Sequence, residues 1–73
     1  MAKPDELAMA RQSMVEELQA INNYQSRIAA AADQELKRIL QHNMDEEKEH
    51  TAMLMEWLRK NDPVQNAVFE KHD

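Results

Sequence analysis

Leu7, Met14, Ile21 and Ile28 stand seven residues apart, and this spacing narrows the possible folds more than any other feature of the chain. A seven-residue repeat holds apolar side chains on one stripe of an α-helix, whereas a strand would need alternation at every second residue. A companion line three residues on, Ala10, Glu17, Tyr24 and Ala31, widens the stripe. Further along, alternate steps of four and three give a second stripe: Leu36, Leu40, Asn43, Glu47, His50, Leu54, Trp57. Glycine is absent, which disfavours tight hairpins and glycine-cradled phosphate sites. The abundant residues, Ala, Glu, Gln, Lys, Leu and Met, are good helix formers.

Helix boundaries follow from local chemistry. Pro4 suits a first helical position, and Asp5 and Glu6 suit the positive end of the helix dipole; this first helix is expected over about 4–32. Asp33 reads as both a break and the N-cap of a second helix, with Glu35 in its first turn. That helix is expected over about 33–60, where Arg59 and Lys60 favour a C-terminus. The "NDP" at 61–63 is a stop and a new start, predicting a short third helix over 63–71. The two long helices, each about 28 residues or ~42 Å, are joined so tightly that they must be antiparallel neighbours. The fold class is all-α, with residues 1–73 forming a single helical hairpin domain.

Seventy-three residues without cysteine exclude disulfides, thiolate metal sites and cysteine nucleophiles. A domain below ~80 residues usually draws stability from disulfides, metals or partner chains, so metal ions and self-association remain. The net charge of −5 repels phosphate backbones and attracts cations, which excludes nucleic acid as the expected partner. No run is long and apolar enough for a membrane span, and the N-terminus lacks the apolar core of a secretory signal. The expected compartment is cytoplasmic.

Both stripes are apolar at their ends and ionisable midway. Glu17 lies near the middle of the first helix, and Glu47 and His50 lie just past the middle of the second, so an antiparallel hairpin brings them to one level. Burying an unpaired carboxylate costs several kcal/mol, so three ionisable groups on adjoining seams need a compensating partner. Residues three apart share a helix face, so Glu47 and His50 can hold one ion together. Glu-x-x-His plus a Glu from a neighbouring helix is half of a di-iron carboxylate centre, and two copies of the chain supply four Glu and two His for a whole one. Taken singly, Glu17 would be a hydrated seam residue and Tyr24 an amphipathic core residue. His42 reads as a surface histidine and His72 as part of a frayed tail. Met9, Met14, Met44, Met53 and Met55 read as gap-filling and interface residues. Glu46 and Glu49 fall on a different face from Glu47 and read as a solvated surface or a weak outer cation site.

Three segments, "EELQAINNYQSR" (16–27), "DQELKRIL" (33–40) and "DEEKEHTAMLMEWLRKNDP" (45–63), resemble the encapsulated ferritins over roughly residues 14–63. The resemblance implies that two hairpins dimerise into a ferritin-like four-helix bundle, and that the dimers close into a ring, typically a decamer. It implies oxidation of Fe(II) inside an encapsulin shell that stores the mineral. It also implies that Glu17, Glu47 and His50 are iron ligands with Tyr24 beside them, and that Glu16 belongs to an outer metal site. Three departures stand out. Asn23 replaces a tryptophan common before the tyrosine, Gln19 replaces a second outer-site glutamate, and no encapsulin-targeting peptide follows Asp73.

The expected function is therefore a ferroxidase acting on a pair of iron ions (Fe2+ to Fe3+) between two chains. Glu47 would bridge the ions, and Glu17 and His50 would be terminal ligands. Other divalent cations, Zn2+ or Ca2+, could occupy the same donors. A rubrerythrin-like peroxidase shares the architecture but usually needs an electron-transfer module, and without cysteine this chain has no rubredoxin-type one. A structural helical oligomer with incidental metal binding is a rival of a different class.

Overall fold

A computed structural model describes residues 2–73. Three helices follow in order, α1 (Pro4–Ala30), α2 (Gln34–Asn61) and α3 (Pro63–His72). No strand occurs among the described residues. The all-α class and the long, long, short sequence of helices are as expected, with adjustments at the ends.

Helix α1 begins as its residues dictate. Pro4 occupies the first turn, and the Glu6 carboxylate accepts a hydrogen bond from the Lys3 backbone N–H at 3.1 Å. It ends at Ala30, two residues earlier than expected, because the chain must straighten before Asp33 can cap the next helix. No residue adopts positive φ among those described, so the usual glycine-type helix stop is not used. Ala31 instead turns to extended backbone (φ −73°, ψ 142°) while its N–H still reaches the Arg27 carbonyl at 2.9 Å. Asp33 is the expected N-cap of α2, accepting from the Leu36 N–H at 2.8 Å.

The α2–α3 corner is built around Asp62, which closes one helix and caps the next. Its N–H donates to the Leu58 carbonyl at 2.8 Å, and its side chain accepts from the Gln65 N–H at 3.2 Å. Pro63 behind it keeps Asp62 extended (φ −128°, ψ 99°). Arg11 of α1 donates to the Asp62 carboxylate at 3.1 Å, tying the far end of the hairpin to the corner. His72, expected in a frayed tail, belongs to the last turn of α3.

α1 packs on α2 and α2 on α3, while α1 and α3 do not pack on each other. The result is elongated, 46 × 27 × 14 Å, with a radius of gyration of 15.3 Å, against about 11 Å for a compact chain of this length. Its accessible surface is 5463 Å², against about 4,700 Å² for a typical folded monomer of this mass. The buried apolar residues are Ala10, Met44 and Leu58. Met44 and Leu58 sit one position beyond Asn43 and Trp57 of the expected α2 stripe. Leu40, Asn43, Glu47, Leu54 and Trp57 of the stripe are partly buried, whereas Leu36 and His50 are exposed, so the buried side of α2 is the expected stripe rotated slightly toward Met44 and Leu58. Leu36 and Ile39 are left about half exposed, so an apolar face of the hairpin stays open for a second layer.

Candidate metal centre

The middle of the hairpin carries the ionisable groups. Glu17 projects from the middle of α1, and Glu47 and His50 project from one face of α2 a turn apart. One ligand-type atom from each lies within 4.8 Å of the others. His50 Nδ1 is 3.5 Å from Glu17 Oε2 and 3.6 Å from Glu47 Oε2. Thr51 holds this turn of α2 by donating from its hydroxyl to the Glu47 carbonyl at 3.0 Å.

His50 Nδ1 stands within ion-pair distance of both carboxylates but makes a hydrogen bond to neither. Contacts of 3.5–3.6 Å are longer than hydrogen bonds. Glu17 Oε2, although shielded from solvent, has no hydrogen-bond partner. A shielded acceptor without a hydrogen bond is costly, and a cation held between Glu17, Glu47 and His50 would offset that cost. Donors that share one cation at about 2.0–2.2 Å from each would stand roughly 3–3.5 Å apart, close to the two separations from His50, with the whole trio within 4.8 Å. Two carboxylates with one imidazole suit Fe, Zn or Mn better than soft ions, and a divalent cation would cancel both negative charges.

The trio is accessible from one side. The side chains of Glu17 and Glu47 are 26% and 22% exposed, and that of His50 is 49% exposed. Ser13, Met53, Leu54 and Trp57 complete a cleft of about 470 Å³ with Glu17 and His50. Leu54 and Trp57 belong to the expected stripe. Ser13 and Met53 escaped it, yet they stand four residues before Glu17 and three after His50, the spacing that places helix neighbours side by side.

Tyr24 stands two turns along α1 from Glu17 and is partly buried. It lies seven residues beyond Glu17, about 10 Å along the axis, with the Arg27 guanidinium 5.6 Å from its ring centroid. Glu16 points to the exposed flank, where Gln12 donates to its carboxylate at 3.3 Å. Gln19 is likewise engaged locally, donating to Asn23 at 3.2 Å. His42 is the expected surface histidine, 2.6 Å from Glu46 one turn on.

Several known proteins are similar to this chain over most of its length. A family model described as EncFtn-like matches residues 1–72. The chain is 58% identical over 50 residues to the "Encapsulated ferritin-like protein" of Rhodospirillum rubrum, covering 68% of this chain and 36% of the relative. It is 44% identical over 61 residues to a "Ferritin-like protein" of Thermotoga maritima, covering 84% and 54%. It is 49% identical over 51 residues to the "Encapsulin nanocompartment cargo protein EncC" of Myxococcus xanthus, covering 70% and 39%. The chain thus spans between about a third and a half of the length of these relatives. A crystal structure of a Nitrosomonas europaea protein superposes with a TM-score of 0.87 at 43% identity, covering 96% of this chain and 79% of that one.

Proposed function

The chain belongs to the EncFtn-like family, and on that footing we propose that it is a ferroxidase whose iron site is completed by a second copy of itself. The observation that carries this is the unpaired, shielded Glu17 Oε2 facing Glu47 and His50. One hairpin offers two carboxylates and one imidazole. Two hairpins offer four and two, the complement of a two-iron carboxylate site in a four-helix bundle. The half-exposed apolar residues around the site are the surface that a second hairpin would cover.

Fe(II) is the substrate. Two ions held together would each give up one electron, and dioxygen would take the pair with two protons and leave as hydrogen peroxide. The chain supplies the donors. Glu47 would span the two ions, Glu17 and His50 would each hold one, and carboxylate charge would favour the Fe(III) product over Fe(II). Tyr24, outside the trio, would act through its neighbours on ligand position. Glu16 is a poor outer collection site by itself, because Gln19 contributes no charge beside it. Zn2+ and Ca2+ would compete for the main donors.

Relatives that carry the names of encapsulated and encapsulin cargo proteins support a place inside an encapsulin shell in the cytoplasm, with dimers closing into a ring such as a decamer. No described helix is long and apolar enough to cross a membrane. The test is oxygen consumption on Fe(II) addition, measured on size-separated fractions. Assembled protein should oxidise iron rapidly, and monomer should match the protein-free rate. Full activity in the monomer would refute the shared site.

A further inference from the structure

Two methionines are equally exposed and differently placed. Met53 is 62% exposed and Met9 is 61% exposed. Met53 stands one turn from His50 and lines the cleft that Glu17 and His50 share. Met9 lies near the start of α1, eight residues or about 12 Å along the axis from Glu17. Met44, by contrast, is buried. In the single chain, solvent exposure alone would oxidise Met53 and Met9 alike.

We propose that Met53 is an oxidation site, converted to its sulfoxide by hydrogen peroxide released at the Glu17, Glu47 and His50 cluster. The proposal rests on the ferroxidase function argued above. Two Fe(II) and dioxygen, with two protons, give two Fe(III) and one hydrogen peroxide. The Met53 sulfur lone pair then attacks one peroxide oxygen, the O–O bond breaks, a sulfur–oxygen bond forms, and the other oxygen leaves as water. Sulfur is oxidised by two electrons and peroxide is reduced by two. Because the oxidant arises within the cleft, Met53 needs no access from bulk solvent.

The position gives the reaction a use. Trp57 lines the same cleft and stands four residues from Met53 on the same face of α2. A thioether at the cleft wall intercepts peroxide before it reaches the indole. Methionine sulfoxide is enzymatically reversible, so such a wall residue can be restored.

The experiment uses the assembled protein in aerated buffer with catalase, which removes any peroxide that escapes into solution. Fe(II) is added in small portions, Fe(III) formation is followed by absorbance in the same sample, and sulfoxide is localised residue by residue by fragment-ion mass spectrometry. A parallel iron-free sample treated with hydrogen peroxide, without catalase, gives the intrinsic ratio of Met53 to Met9 oxidation. Under iron turnover that ratio should rise several-fold above the intrinsic one. In His50→Ala it should fall back to it. An unraised ratio while Fe(III) forms at the catalysed rate overturns the proposal and leaves the ferroxidase function standing. If Fe(III) forms no faster than without protein, the ferroxidase function itself has failed, and the proposal falls with it.

Discussion

The α2–α3 corner and the middle of the hairpin treat their charges in opposite ways. At the corner, Asp62 receives hydrogen bonds from the Gln65 N–H and from Arg11. Arg59 nearby donates to Asn66 at 3.1 Å and lies 4.8 Å over the Phe69 ring. Those charged groups have their partners within one chain. At mid-hairpin, the Glu17 oxygen facing Glu47 and His50 has no hydrogen-bond partner. Charge at the corner is satisfied by hydrogen bonds within the chain, whereas the Glu17 oxygen at mid-hairpin has none. The contrast predicts that substitutions at the corner act on stability and those at mid-hairpin act on turnover.

The largest effect is expected at mid-hairpin. Glu17→Ala, Glu47→Ala and His50→Ala should each lower the rate of Fe(II) oxidation by more than the roughly 10- to 100-fold typical of losing a group behind a metal ligand. Circular dichroism should show helicity unchanged, since the buried apolar residues are Leu58, Met44 and Ala10, and Glu17, Glu47 and His50 are not among them. Glu17→Ala is the sharpest of these, because Glu17 is the member of the trio that α1 supplies. Normal iron oxidation by that variant would break the comparison at its centre.

A stability effect at the other pole comes next. Leu58 is 3% exposed, the most enclosed of the three buried apolar residues, and lies one turn before the corner. Leu58→Ala should cost about 2–5 kcal/mol by loss of buried methyl groups and creation of a cavity. Denaturant unfolding of the variant would measure it, and iron-oxidation rate per folded molecule should be little changed. Smaller again is Tyr24→Phe. The ring lies away from the ligand trio against Arg27, so the rate should fall by no more than roughly tenfold, and steady-state oxygen uptake would detect it.

Much of this was legible in the sequence, and the reasons are local. Asp33 and Pro63 mark helix starts because capping chemistry acts over three or four residues. The convergence of Glu17 with Glu47 and His50 followed from seam periodicity and a short connection, which together fix the register of an antiparallel pair. The end of α1 was misplaced because alanine at 31 and 32 has high helix propensity, and the need to free Asp33 for capping outweighs it. The rotation that buries Met44 and Leu58 beside the stripe was not legible either. It depends on how two helices settle against each other, which the spacing of residues along one helix does not fix.

The smallest and most specific expectation concerns pH at the corner. The backbone N–H of Gln65 holds the Asp62 carboxyl below its ordinary value; partial burial opposes this, and the hydrogen bond and charge of Arg11 and the Val64 N–H add to the lowering. A carboxyl lowered in the folded state contributes stability that is fully present above the unfolded value, about 3.9. That contribution is lost as pH falls through the lowered folded value, because the unfolded chain takes up a proton the folded one resists. The corner should therefore be indifferent to pH near neutrality and should loosen only in acid below about pH 4. Hydrogen exchange at the Val64 and Gln65 amides, followed as the protein is acidified, would report α3 opening there. Asp62→Asn keeps a capping side chain and removes the titrating group, so its protection should lack that acid transition while α2 behaves as in the unaltered chain. The same transition in Asp62→Asn would mean that some other carboxylate governs the corner, and that the satisfied pole of the molecule does not depend on the contacts seen around Asp62.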